Sequence, residues 1–180
     1  MTSSTRPSPE VAAVVTQSYP RLRRFFTNKV PPAEAHDLTQ ATLLTFLEKD
    51  VATMDDPRRF LFGIARNKLL QHFGRLRPGQ PFDSQHYSVR RLSTTLGTRL
   101  DRSTRIIEGL QQLPLEQQMA LELRYGEELK LTEVSEAMGK SVGQIKRYLR
   151  DGLAALRQDL GTTADDEALG NRLGTEYQKS

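Results

Sequence analysis

The sequence predicts an all-α protein made of two small helical domains joined by a flexible linker, and three observations predict it. Apolar residues recur at three- and four-residue steps in several separate stretches. No stretch holds the strict alternation of a half-buried strand. Between the periodic stretches lies a segment of roughly 25 residues with no period, longer than the connections inside one compact domain usually run. The length of 180 residues suits two small cores.

Residues 1–9 are rich in Ser, Thr and Pro and read as a disordered N-terminus. The first domain is expected over 10–77. Helical spacing begins at Val11, Val14 and Val15 and resumes at Leu22, Phe25 and Phe26. Pro20 is expected to break or kink this helix, because it lacks the N–H of the ladder and its ring meets the preceding turn. Pro31-Pro32 ends it. A second helix is expected from Pro32 to Lys49, with Ala35, Leu38, Ala41, Phe46 and Leu47 toward the core. A third starts at Asp56-Pro57, where Asp caps free N–H groups and Pro presets φ. It continues through RRFLFGIARNKLLQHFGR, with Phe60, Leu61, Ile64, Ala65 and Phe73 at helical steps.

The period fails from Gly74 to about Leu100, a stretch holding Gly, Pro, Ser and Thr. The linker is placed at 78–103 and the second domain at 104–160. Ile106, Leu110 and Leu113 restart the period, Pro114 opens a helix through Tyr125, and a short helix spans Thr132 to Met138. Gly139 suits the left-handed residue that ends a helix. Ser141-Val142-Gly143-Gln144 is a capping box for a helix running to about Leu160. Residues 161–180, with Asp165, Asp166 and Glu167, read as a weakly ordered acidic tail.

Composition excludes several functions. With no cysteine there are no disulfides and no cysteine-ligated zinc or iron–sulfur site. His36, His72 and His86 fall in different elements and none has a metal-site spacing, so neither a metal nor a cofactor is expected. Asp55-Asp56 is better explained by a helix cap than by a bound cation. There is no phosphate-cradling glycine loop, no Gly-x-Ser-x-Gly elbow and no nucleophile–base pairing, so no catalytic residue is assigned and no enzyme is expected. No apolar run approaches a membrane span and no secretory signal is visible, so a cytoplasmic protein without membrane insertion is expected. The net charge of +4 is a weak pointer to nucleic acid. Its placement is more informative.

A short helix, a Gly-bearing turn and a capped longer helix form helix-turn-helix syntax. On the longer helix, Val142, Ile145, Leu149, Leu153 and Leu156 fall within roughly 80° of arc, while Lys146, Arg147, Arg150 and Arg157 fill an adjacent arc of roughly 100°. One face docks and its neighbour is cationic, as a major-groove reader requires. A solvated basic face on an ordinary amphipathic helix is the plainer reading of the charge alone. Residues 58–77 carry Arg58, Arg59, Arg66, Lys68, Arg75 and Arg77 with no acid, interleaved with Phe60, Phe62 and Phe73. Cations that follow a backbone and rings that accept bases suit single-stranded nucleic acid. Here the plainer reading puts the rings in the core and the arginines in water.

Taken in order, these pieces resemble the extracytoplasmic-function group of sigma-70-family RNA polymerase sigma factors. YPRLRRFFTNKV…AEAHDLTQATLLTFLEK looks like the opening of region two, DPRRFLFGIARNKLLQHFGR like its following helix, and LQQLPLEQQMALELRYGEELKLTEVSEAMGKSVGQIKRYLRDGLAALR like region four. The resemblance implies promoter recognition by an initiation subunit without chemistry of its own. It implies that Asp37, Leu38 and Gln40 bind the clamp helices of the largest polymerase subunit. Arg58, Arg59, Phe60, Arg66, Asn67 and Lys68, with the loop Val51–Asp56, would hold the melted minus-ten element. Ser141, Gln144, Lys146, Arg147 and Arg150 would bind the minus-thirty-five duplex. Partners implied are core RNA polymerase, including its flap, promoter DNA and an anti-sigma factor. The chain departs from the pattern at Phe60, where Trp is usual, at Gln71, where Asp is common, at Gly63, commonly polar or basic, and at Asp151, usually basic. Two other readings remain: a stand-alone helix-turn-helix regulator, and a sigma-like protein that sequesters an anti-sigma factor.

Overall fold

The computed structural model describes residues 9–49, 51, 54–76, 83–84 and 102–160. Expectations for the N-terminus 1–8, for most of the linker, for Arg77, for His86 and for the tail 161–180 fall outside the described residues. Every regular element among those described is helical. They are α1 (Pro9–Thr27), α2 (Pro32–Leu47), α3 (Pro57–Arg75), α4 (Arg102–Gln112), α5 (Leu115–Leu121), α6 (Leu131–Met138) and α7 (Val142–Leu160). A π-helical turn, Glu122–Gly126, follows α5.

α1, α2 and α3 pack pairwise into the first unit. Its centre is Leu22, Phe25, Phe26, Phe46, Leu61, Phe62, Ala65, Leu69 and Phe73. Phe25 meets Phe26 and Phe62 edge-on, with ring centroids 5.4 Å and 5.8 Å apart. Edge-to-face aromatic pairs add about 0.5–1.5 kcal/mol beyond the area they bury.

Two sequence expectations for this unit are corrected. Of the break or kink expected at Pro20, the break does not occur: α1 runs through it. A proline inside a helix costs roughly 3 kcal/mol, and buried Ser18 and Leu22 on either side hold the segment against the core. On α2 the buried stripe is Ala35, Thr39, Thr42 and Phe46, not the run ending at Leu47. The two threonines can be buried because each hydroxyl donates to a carbonyl one turn back, Ala35 O at 2.6 Å and Leu38 O at 2.7 Å. Leu47 and Leu44 face outward, with relative exposures of 42% and 63%. The start of α3 is as read: the Asp56 carboxylate accepts from Arg59 N at 3.0 Å and Pro57 holds the first turn.

The second unit is α4, α5, the π turn, α6 and α7. α7 lies across α4, α5 and α6 and buries Ile145, Tyr148 and Leu149, with Leu153 and Leu156 packed beside them. Gly152 marks the tightest crossing, since a Cβ there would lie 2.9 Å from Leu121 Cδ1. The expected single helix from Pro114 to Tyr125 is instead α5 followed by the π turn, which ends where Glu127 N donates to Glu122 O at 2.9 Å.

The units are not held apart. α3 packs along α6, and the buried apolar residues of both form one continuous cluster.

Candidate nucleic-acid and polymerase interfaces

The helix-turn-helix is built by two local devices. Gly139 ends α6 at φ 60° and ψ 38°, the left-handed region that costs a side chain least when there is none. Ser141 Oγ then accepts from Gln144 N at 3.2 Å, while Ser141 N donates to Gln144 Oε1 at 3.2 Å. Ser141 and Gln144 thus cap the helix that the cations ride on. Arg147 and Arg150 are exposed and Lys146 is half-buried. The Arg147 guanidinium lies 5.9 Å from the Tyr148 ring centroid. Arg150 Nε and Nη2 both reach Asp151 Oδ1 at 2.9 Å. This is an exposed pair on one helix, worth only about 0.2–1 kcal/mol in water. A DNA phosphate can replace the carboxylate at little cost. The departure at Asp151 therefore parks Arg150 without removing it.

The basic, aromatic helix divides differently from its sequence pattern. Phe62 and Phe73 are core residues and are not available to bases. Phe60 is half-buried, tilted against Phe46 with centroids 6.4 Å apart. Asn67 is exposed seven residues further, which places it within roughly 20° of Phe60 on the same helix face. Arg58 and Lys68 are half-buried elsewhere around α3. Arg59 and Arg66 sit on the flank beside Phe60 and face the second unit. Arg66 is buried, its Nη2 donating to Glu116 Oε1 at 2.8 Å, and Arg59 pairs with Glu136. The structure therefore brings Phe60 and Asn67 together and commits Arg59 and Arg66 to acids of the other unit.

On α2, Asp37 and Gln40 are exposed and Leu38 is half-buried. Gln40 Nε2 lies 2.9 Å from His36 Nε2 one turn back. At 100° per residue Asp37, Gln40, Leu44 and Leu47 span roughly 80° of one face. Leu44 and Leu47 were missed by sequence reasoning, which assigned Leu47 to the core and gave Leu44 no role. The signal was present: two leucines three residues apart on the side opposite Ala35 and Thr39.

Among the described residues no cluster of His, Asp or Glu is placed to hold a metal ion. No helix among them is long and apolar enough to cross a membrane.

Residues 109–158 match the family described as Sigma-70, region 4. Across both units the fold matches a solved sigma factor, RpoE of Bartonella quintana, in complex with the anti-sigma factor NepR. That match has a TM-score of 0.64 and 21% identity, covering 84% of this chain and 96% of that one. The second unit therefore resembles region four of the sigma-70 family. The all-helical fold of the described residues agrees with that neighbour's. The resemblance read from residues 106–158 agrees with the region-four match. A second solved structure, described as an RsbN-BldN complex, aligns at a TM-score of 0.32 and 22% identity over 82% of this chain and 89% of that one, and carries no argument. No curated protein sequence matches the chain.

Proposed function

We propose that this chain is a sigma factor that joins core RNA polymerase through the outer face of α2, holds the melted minus-ten strand with α3, and reads the minus-thirty-five duplex with α7. The observation that carries the reading is the exposed cationic face of α7, set by Gly139 and the Ser141 cap, on a domain that matches region four. A single α-helix fits the major groove, where Arg and Lys reach guanine O6 and N7. Asp37, Leu38 and Gln40, joined by Leu44 and Leu47, offer polymerase an apolar patch edged with polar groups. An interface core needs apolar area and a rim needs hydrogen bonds. Phe60 and Asn67 take the unstacked bases, the ring by stacking and the amide by hydrogen bonding. Arg58, Arg59, Arg66 and Lys68 follow the strand backbone. The flap of core polymerase and an anti-sigma factor complete the partners. The solved neighbour bound to NepR supports the last of these. The setting is the cytoplasm, where transcription takes place.

Run-off transcription with core polymerase and a promoter-bearing template tests this reading. The chain should direct specific initiation, and Lys146→Glu should abolish it by placing a carboxylate against phosphate. A stand-alone regulator would instead shift duplex DNA tightly with no polymerase present. A protein that only sequesters an anti-sigma factor would never initiate, and Lys146→Glu would leave its partner binding intact.

A further inference from the structure

One arginine on the cationic face of α7 is held by an acid of the same helix. At 100° per residue Arg150 falls between Lys146 and Arg147, about 40° from the first and about 60° from the second. It stands in the middle of the face proposed to enter the groove. Asp151 lies about 40° beyond Arg147, at the border of that face. The two side chains are 69% and 42% exposed. Arg150 Nε and Nη2 both donate to Asp151 Oδ1 at 2.9 Å.

That contact uses one edge of the guanidinium. Arginine carries its N–H donors in a fixed plane with two usable edges. The carboxylate oxygen spans the side edge, made by Nε and Nη2. The end edge, made by Nη1 and the outer hydrogen of Nη2, remains for another acceptor. Two parallel donors are what guanine O6 and N7 accept in the major groove. A phosphate is a different case, because it must either displace Asp151 or lie beside a second anion. Guanine carries no full charge and needs to do neither.

The carboxylate stands on a fixed part of the helix. Gly152, the next residue, is buried, and a Cβ there would lie 2.9 Å from Leu121 Cδ1 of α5. The backbone beneath Asp151 is thereby set against the domain. An exposed pair of this kind adds little stability. What it does is restrict the directions open to Arg150, and a side chain ordered in advance loses less freedom on binding.

We infer that Asp151 is a positioning residue for base readout: by holding the Nε–Nη2 edge of Arg150, it aims the Nη1–Nη2 end at a guanine of the duplex. This rests on the proposed role of α7 as reader of the minus-thirty-five element.

The test uses the chain assembled with core polymerase, and templates randomised across the minus-thirty-five segment of a promoter that it transcribes. Templates held in heparin-resistant complexes are recovered and sequenced, which gives the base preference at each position. Wild type is compared with Arg150→Ala, Asp151→Ala and Asp151→Asn, and far-ultraviolet circular dichroism checks that all fold alike. Wild type should prefer guanine at one position, and Arg150→Ala should lose about tenfold of that preference, within the range of a bidentate base contact. Asp151→Ala should lose about fivefold at the same position, the most that an exposed pair supplies. Asp151→Asn keeps an acceptor for Nε and Nη2 without the charge, and should retain the preference. A carboxylate that only competes with phosphate gives another pattern. Asp151→Ala and Asp151→Asn would then strengthen binding evenly across sequences, with a salt dependence steeper by about one phosphate contact. That pattern overturns the inference, and so does an unchanged guanine preference in Arg150→Ala. A wild-type chain that directs no run-off transcript from any promoter fails the proposed function. A chain that transcribes, but whose base preference Asp151→Ala does not move, fails this inference alone.

Discussion

Lys29 illustrates how a side chain can be decided by one partner. It is fully buried, donates to Phe25 O at 2.8 Å, and lies 3.8 Å from the Phe25 ring centroid. Burial pushes its pKa below the usual lysine range, and the nearby Glu122 carboxylate opposes that push. Removing one member of such a pair strands the other, at about 3–5 kcal/mol, whereas replacing both by neutral groups can cost little. Glu122→Gln should therefore destabilise the chain strongly, and Lys29→Met with Glu122→Gln should recover most of the loss, as a double-mutant cycle in urea will read. Glu127 shows the opposite linkage. Burial raises its pKa above the ordinary carboxylate value, with Arg24 and Arg21 pulling it back. The folded chain then binds this proton more readily than the unfolded chain. Its contribution is present at low pH and is lost as pH rises through the raised value. As pH rises from the ordinary carboxylate range through the raised value, the stability of wild type relative to Glu127→Gln should fall. Equal slopes for the two proteins would refute this.

At the scale of elements, α7 is placed by its caps and its crossing. Ser141→Ala removes the acceptor for Gln144 N and should cost about 1 kcal/mol by thermal unfolding. Gly152→Ala gains helix propensity, but its methyl meets Leu121 Cδ1 at 2.9 Å, with Gln117 Cβ and Leu113 Cδ1 at 3.5 Å. Overpacking costs roughly 1–3 kcal/mol, so the net effect should be destabilising. Gly63→Ala is the contrasting case. With only ordinary contacts around the new methyl group, it should stabilise α3 by about 0.5–1 kcal/mol. A loss of stability in this variant would mean that the α3–α6 approach is tighter than the geometry gives.

The whole molecule is set by how two basic-plus-acidic units fit. Along the seam where they meet, the first unit contributes Arg21, Arg24, Lys29, Arg59 and Arg66, and the second contributes Glu116, Glu122, Glu127 and Glu136. Buried ion pairs add little net stability over an apolar contact, but they fix which surfaces meet. Partly exposed pairs such as Arg59–Glu136 are screened by salt while the buried ones are not. Raising salt should therefore loosen the rim of the seam before its centre.

The all-helical class, the cap at Asp56, the turn at Gly139 and the box at Ser141 were legible in the sequence, because each depends on residues within one turn of another. So was the alternation of docking and cationic faces on α7, which follows from helical period alone. The continuity of α1 through Pro20 and the burial of Thr39 and Thr42 were not, because local preference yields to what the neighbouring helices cover. Least legible was the fate of Arg59 and Arg66. Helical period places them on a cationic face, but their partners Glu116 and Glu136 lie 50 and 77 residues further along the chain. Only the tertiary structure could bring those charges together, since a charge is either hydrated or paired according to what packs against it in space.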